Sequence, residues 1–327
     1  RSFVKDVIRS HSLFGMVQYA TNNNQTVLKG GLRANYFGKF NKVLVEPRLQ
    51  VQQALGNGFS ANLLGEFKSQ SSTQRIDFDS DFLGVEKRRW VLANNDDIPI
   101  IESKQISIGT EYKKNNWLLS AEGFYKTVSG ITTSNEGFQN QFQFVRAVGD
   151  YNVSGLELVV NKKMASFSTW VSYLYLKNDY DFPSLDPASF PHNLDVRHSA
   201  TLAGSYTKDQ LKVALGINWH SGRPYTIPSD DQVGLQNPIT PIITYDIPNA
   251  QRLDDYFRTD LSVEYRWGLS EKIEAKINAA VLNLFNTQNV LNRRFVLESD
   301  ENDMPQISQV AESSLGLTPN FSLQILF

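Results

Sequence analysis

Residues 211 to 220 alternate without a fault. Leu211, Val213, Leu215, Ile217 and Trp219 fall on one side, and Lys212, Ala214, Gly216, Asn218 and His220 on the other. A pleated strand sends successive side chains to opposite faces, so this segment reads as a strand with one fully apolar face. The pattern recurs. Leu28, Gly30, Leu32, Ala34 and Tyr36 oppose Lys29, Gly31, Arg33 and Asn35. Val45, Pro47, Leu49 and Val51 oppose Glu46, Arg48, Gln50 and Gln52. Leu261, Val263, Tyr265 and Trp267 oppose Asp260, Ser262, Glu264 and Arg266. Such stretches run about 10 residues, the length that crosses a bilayer when tilted; soluble strands average about 5 or 6. The second face carries full charges, including Arg33, Arg48, Glu66 and Glu264. A dry interior penalises unpaired charge heavily, so that face must meet water. An apolar outside around a wet inside is the pattern of a transmembrane β-barrel.

Composition does not oppose this. Charged residues are 20% and mean hydropathy is -0.34, ordinary values for a barrel that averages lipid-facing with lumen-facing positions. The chain has no Cys, which excludes disulfides, thiol catalysis and thiolate metal sites. A net charge of -2 provides no global field for nucleic acid. No stretch approaches the ~20 apolar residues of a spanning helix.

The connections alternate too. Short polar turns fall at 21–25, 56–58, 113–116, 207–210 and 268–271. Long segments fall at roughly 71–103, 127–152, 179–195, 221–255 and 287–316, lengths that are rare in compact soluble domains. Short periplasmic turns and long extracellular loops are the outer-membrane arrangement. Only the connection near Gly38–Asn41 is short on the long side. Thirteen strands follow, beginning near 12, 27, 43, 59, 104, 116, 152, 167, 196, 211, 256, 272 and 317. Bacterial single-chain barrels have even counts, and an open edge in lipid is not viable. The odd count and the opening Arg1-Ser2-Phe3 therefore predict that upstream strands, absent from this chain or supplied separately, complete the barrel; the alternative is a further strand within 140–150 or 290–298.

The last strand places Phe321, Leu323, Ile325 and Phe327 on one face and stops at an aromatic. It resembles the C-terminal signal read by the barrel-assembly machinery; an amphipathic strand with a free edge suits recognition by strand addition. Further segments resemble the barrels of TonB-dependent receptors. They are Val153-Ser154-Gly155-Leu156-Glu157-Leu158, Asp195-Val196-Arg197-His198, Ser221-Gly222-Arg223-Pro224-Tyr225-Thr226, Arg258-Thr259-Asp260-Leu261 after Tyr256-Phe257, and Val281-Leu282-Asn283-Leu284-Phe285-Asn286. Their order and spacing across 150–327 carry the resemblance; residues 1–150 match in strand pattern alone. Barrels of that family have about 22 strands and a plugged lumen. The resemblance implies that residues 1–327 are about the last thirteen strands, with the plug and the segment that engages the TonB complex outside the chain. It also implies outer-membrane lipids and the assembly machinery as partners. Glycan importers of the family often carry a surface lipoprotein as a lid, a partner the resemblance leaves open.

Candidate site residues follow. Lys29, Arg33, Arg48, Glu66, Lys68, Glu122, Glu157 and Glu264 line a solute path or contact a plug on one reading; on the other they are a hydrated wall. Trp90, Tyr180, Phe182, Tyr225 and Tyr245 grip a ligand at the mouth, or pack loops together. His11, His192, His198 and His220 show no metal-ligand spacing; His192 and His198 read as solvated rim residues rather than a metal pair around Asp195. Asp77-Phe78-Asp79-Ser80-Asp81 alternates acids as calcium loops do but lacks the Gly and Glu of an EF-hand. Asp96, Asp97, Asp230, Asp231, Asp300, Glu301 and Asp303 add further loop carboxylates. No nucleotide or hydrolase fingerprint appears, and His198 with Ser221 is the sole pair that suggests a nucleophile and base. The expectation is a non-enzymatic receptor without cofactors that takes up a scarce solute. A passive channel, a structural anchor in an envelope complex and a soluble β-sandwich are the alternatives.

Overall fold

A computed structural model describes residues 7–77, 87–229, 243–271, 273–299 and 301–327. One antiparallel meander dominates it. Its strands are β1 Ser10–Ala20, β2 Thr26–Phe37, β3 Lys42–Gly56, β4 Phe59–Gln70, β5 Ile101–Lys114, β6 Trp117–Thr132 and β7 Val148–Lys163. They continue with β8 Phe167–Asp181, β9 His198–Lys208, β10 Leu211–His220, β11 Tyr256–Ser270, β12 Ile273–Leu282 and β13 Thr318–Leu326. These are the thirteen expected strands, each beginning within four residues of its expected start. A fourteenth short strand, Ser189–Pro191, pairs with the end of β8.

Register carries the alternation across the sheet. Leu28 faces Val51, which faces Leu63, then Ile108, Gly123, Leu156 and Tyr175. Leu32, Ile108 and Phe321 are 53%, 67% and 65% exposed, and a bare apolar belt of this extent suits hydrocarbon. Near the short turns, Phe59 and Tyr112 meet at 4.6 Å, Phe167 and Tyr206 at 4.6 Å, and Tyr265 and Trp267 at 5.9 Å. Lys162 lies over Trp117 at 4.6 Å. Amphipathic rings at one level of a barrel form an interfacial girdle.

The short turns have local causes. Asn57 and Gly58, and Asn115 and Asn116, all take positive φ, the geometry of tight hairpins whose twist matches the strands. A Cβ at Gly58 would meet the Lys113 carbonyl at 2.9 Å. The 290–313 segment is a hairpin, Val290–Ser299 with Pro305–Ser313, and does not join the main sheet. Ser72–Asp77 with Lys87–Leu92 is another.

Described parts of the connections after β4, β6 and β8 fold over the polar face. Phe37 and Leu44 lie on that face and pack with Ala93 and Ile100. Val128 and Tyr180 pack with Phe138, Phe142, Phe182, Leu185 and Phe190. The loops after β6 and β8 thus roof part of the lumen with a small apolar core. Among the described residues β1 pairs only with β2 and β13 only with β12, leaving the sheet open at two edges that run in the same direction.

Candidate functional site

Beneath this roof the polar face forms a cavity of about 490 Å³. Arg33, Arg48, Lys68 and Lys126 bring four cations to it, and Glu46 and Glu136 two carboxylates. The charges are ordered by a chain of hydrogen bonds. Glu46, 3% exposed, accepts from Asn35 Nδ2 at 2.8 Å, from Ser69 N at 2.9 Å and from Ser69 Oγ at 2.6 Å. Asn35 Oδ1 accepts from Arg33 Nε at 2.9 Å, and Arg48 stands 3.9 Å from Glu46. Lys68 pairs with Glu66 at 2.5 Å. Arg33 is exposed and the Arg48 side chain is 50% exposed, as a wall that meets a solute requires. Below, along β1 to β4, a groove of about 790 Å³ joins Phe14, Met16 and Leu64 to Lys29, Arg33, Arg48 and Glu66.

The structure therefore gathers Lys29, Arg33, Arg48 and Glu66 on one stretch of wall. It separates them from Glu122 and Glu157, which face each other on β6 and β7, and from Glu264. Glu264 sits between Arg266 and Lys276, both at 2.8 Å. Glu46 escaped the sequence reading as a candidate. Its signal was its place on the alternation, one step nearer the mouth than Arg48.

The mouth aromatics divide. Trp90 stands 66% exposed at a hairpin. Tyr180 is fully buried: it stacks on His192 at 4.2 Å and donates its hydroxyl to Glu136 at 2.6 Å. Tyr180 and Phe182 thus pack loops together. Tyr225 accepts from Arg293 Nη1 at 2.7 Å. Burial pushes the Tyr245 phenol up.

His192 is not the solvated rim residue expected. It is 7% exposed, and burial against Tyr180 and Tyr151 drives its pKa down to about 4 against the opposing pull of Asp195. Glu136, 3.6 Å away, is pushed up by burial, with the Tyr180 hydrogen bond acting the other way. Asp195, wholly buried, takes Arg197 Nη2 at 2.7 Å, the Asn178 amide at 2.9 Å and Arg252 Nη2. His198 turns away to Tyr173, at 2.8 Å, so no metal pair forms around Asp195. Ser221 Oγ accepts from the His198 backbone amide at 3.0 Å, and among the described residues no hydrogen bond joins it to the His198 imidazole, whose Nδ1 meets Tyr173. Asp79, Asp81, Asp230, Asp231 and Asp300 lie outside the described residues. Asp97 stands 3.9 Å from Arg146.

The segments that carried the resemblance hold strand ends at the mouth. Asp260 takes Arg258 Nε at 2.7 Å and the Asn283 amide at 2.9 Å. Asn283, 1% exposed and at positive φ, closes the turn after β12 through Thr287. Asn286 Oδ1 receives the Leu317 amide at 2.9 Å.

Residues 2–284 match the family model described as TonB dependent receptor-like, beta-barrel. The chain belongs to this family. TonB-dependent receptor barrels are outer-membrane proteins, and the bare apolar belt is the face turned to lipid. No curated protein matches the chain. Among solved structures it is similar to the ferric yersiniabactin uptake receptor FyuA from Yersinia pestis, at 15% identity and TM-score 0.64, covering 98% of this chain and 45% of that one. It is also similar to the FrpB iron transporter from Neisseria meningitidis, at 14% and 0.63, with 98% and 45% covered. The unliganded ferric citrate transporter FecA gives 12% and 0.63 over the same shares. These likenesses show the fold. The chain spans about 45% of the length of these structures. The family and these neighbours are receptors and transporters rather than enzymes.

Proposed function

We propose that this chain is the barrel portion of a receptor that takes up a scarce solute, an iron(III) chelate, in a TonB-dependent manner. The observation that carries the reading is the basic wall beneath the roofed mouth, where Arg33, Arg48, Lys68 and Lys126 surround one cavity. Ferric chelates of carboxylates, catecholates and hydroxypyridinone-like groups present oxygen-rich, commonly anionic surfaces, and guanidinium forks match them. The structural neighbours include a ferric citrate transporter and a ferric yersiniabactin uptake receptor, which supports the same class.

A plug in the lumen is favoured over an open channel by the polar face itself. Phe14, Met16 and Trp170 lie on that face, and Trp170, away from either edge of the sheet, is 42% exposed. Water-filled pores are lined by polar residues; apolar side chains there call for a packed occupant. Closure of the sheet asks for further strands as well. β1 and β13 are separated by twelve antiparallel steps and run the same way, so antiparallel closure needs an odd number of added strands. A second copy of this chain in the same membrane orientation would pair parallel at each edge and fails that condition.

Uptake of radiolabelled ferric citrate and of ferric catecholates by cells with and without TonB tests the reading. Accumulation that requires TonB and falls several-fold in R33Q and R48Q is expected. Accumulation that ignores TonB would mark a passive channel instead.

A further inference from the structure

We propose a second, separate oxyanion-binding site in the extracellular loops, formed by Arg223, Tyr225 and Arg293. Pro224–Tyr225 pairs with Gln251–Arg252 as a short two-stranded ribbon. Side chains alternate across such a ribbon, and directly paired residues share a face. Burial follows this: Gly222, Pro224 and Thr226 are buried, whereas Arg223 and Tyr225 are partly open. Arg252, paired with Pro224, is itself exposed but turns its guanidinium to Asp195 and to the Gly222 carbonyl. Arg223 and Tyr225 leave by the other face, with Gln251, which is exposed.

Arg293 reaches this second face from the 290–313 hairpin. Its Nη1 donates to the Tyr225 hydroxyl at 2.7 Å, and its guanidinium carbon lies 5.1 Å from the ring centroid. Because the Tyr225 oxygen accepts from Arg293, its own hydrogen is left to donate. The Nε–H groups of Arg223 and Arg293 are closed off from solvent and meet no acceptor among the described residues. The neighbouring Arg294 shares this state, with Glu312 3.8 Å from its Nε. Unmet buried donors are costly, and those on guanidinium point to a planar oxygen pair as the missing partner. No carboxylate stands within 4.0 Å of Arg223 or Arg293 among the described residues, in contrast to Arg252 and to Arg197, which reaches Asp195 through Nη2 while its own Nε is likewise unmet. An oxyanion entering between 221–229 and the hairpin would receive the Nε–H and Nη–H edges of two arginines and the Tyr225 proton.

The proposal names an acidic group on the solute and so deepens the uptake reading, but its test measures binding, not transport. The protein, purified from the outer membrane in detergent, is titrated with citrate by calorimetry. A second arm uses lipopolysaccharide micelles, since a lipid phosphate offers the same chemistry. Wild type should bind citrate at up to millimolar concentration, with at least tenfold weaker binding in R293Q and in R223Q, and several-fold weaker in Y225F. R293K keeps the charge without the fork and should fall between. Heat-modifiable migration on gels checks that each variant is folded, and the variants on two different loops guard against a local failure of one. Wild-type affinity in both R293Q and R223Q, no citrate binding by the wild type, or a loss confined to the lipopolysaccharide arm would each overturn the proposal. TonB-dependent uptake that survives those losses would leave the uptake reading standing.

Discussion

Glu122 on β6 and Glu157 on β7 stand directly opposite each other across one antiparallel ladder, both on the lumen face. No ion pair reaches either carboxylate among the described residues. Like charges in directly opposed positions destabilise a sheet, by about 0.2–1 kcal/mol. E122Q should therefore make the barrel wall slightly harder to unfold in guanidinium, and E122K more so, because it sets a cation opposite Glu157. Unfolding monitored by tryptophan fluorescence reads this directly. A less stable E122K barrel would mean that the pair already faces a cation from something occupying the lumen.

Asp195 draws together three separate stretches of the mouth. Its carboxylate receives Arg197, Arg252 and the Asn178 amide, and its carbonyl receives Arg252 Nη1 at 2.7 Å. Removing one partner of a buried ion pair leaves the others uncompensated and costs about 3–5 kcal/mol. D195N should release 182–197 from 248–253 and leave the strands paired. Limited proteolysis should then cut within these loops at rates well above wild type, while heat-modifiable migration of the barrel is unchanged. Equal cleavage rates would show that the aromatic core alone holds the loops.

What the sequence made legible, and what it concealed, follows the range of the interactions. Leu211 to Trp219 announces its strand because each residue reports its own face, and the neighbouring strand repeats the report. The expected start at 211 and the observed one coincide. The roof has no such local code. Phe138 lies between Tyr180, Phe182 and Phe190 at 5.2 to 5.7 Å, and nothing in 127–152 alone distinguishes a buried phenylalanine from one at an exposed loop tip. Tyr180 was legible as an aromatic near the mouth, but its burial depends on loops folding inward rather than outward. His192 was misplaced for the same reason. Glu46 needed its Ser69 and Asn35 partners to stand out from ordinary lumen polarity. The charged wall was visible as a face; the cavity was not, because it forms only where the roof covers that face.

His192 makes the roof sensitive to acid. Its folded pKa, lowered to about 4, lies below the unfolded value of about 6.5, so the unfolded state binds the proton first. The contribution of neutral His192 is present above about pH 6.5 and is lost as pH falls through about 4, at most about 3 kcal/mol in all. The groups facing it are Glu136, Tyr180, Tyr151 and Asp195. Glu136 acts in the opposite sense: its folded value is raised by burial, so protonation relieves a buried charge as pH falls. Hydrogen exchange of 133–147, measured from pH 7 to pH 4, should show loosening in wild type. H192F removes the titrating ring and should flatten that response or invert it. Identical profiles in the two proteins would remove His192 as the cause.

The final strand provides the clearest test of how this chain reaches its membrane. Phe321, Leu323 and Ile325 face outward opposite Ala279, Ile277 and Ala275 of β12, and Phe327 follows at 95% exposure. One edge of β13 is paired and the other is free, so the strand offers a backbone edge and an apolar stripe together, the requirements for recognition by strand addition. L323D places a charge on the lipid face, where Arg or Lys costs about 2–4 kcal/mol near the bilayer midplane and Asp costs less, the cost falling further towards the interface. It should reduce outer-membrane insertion by damaging the folded barrel itself. F327A removes only the stripe's last, unpaired ring and leaves Phe321, Leu323 and Ile325 in place, so a fall in insertion there isolates recognition from stability. The measurement is the fraction of protein in the outer membrane with folded gel mobility after a pulse of synthesis. Loss in both variants is expected. Normal insertion of F327A alongside loss in L323D would show that the aromatic end is only the last residue of a strand.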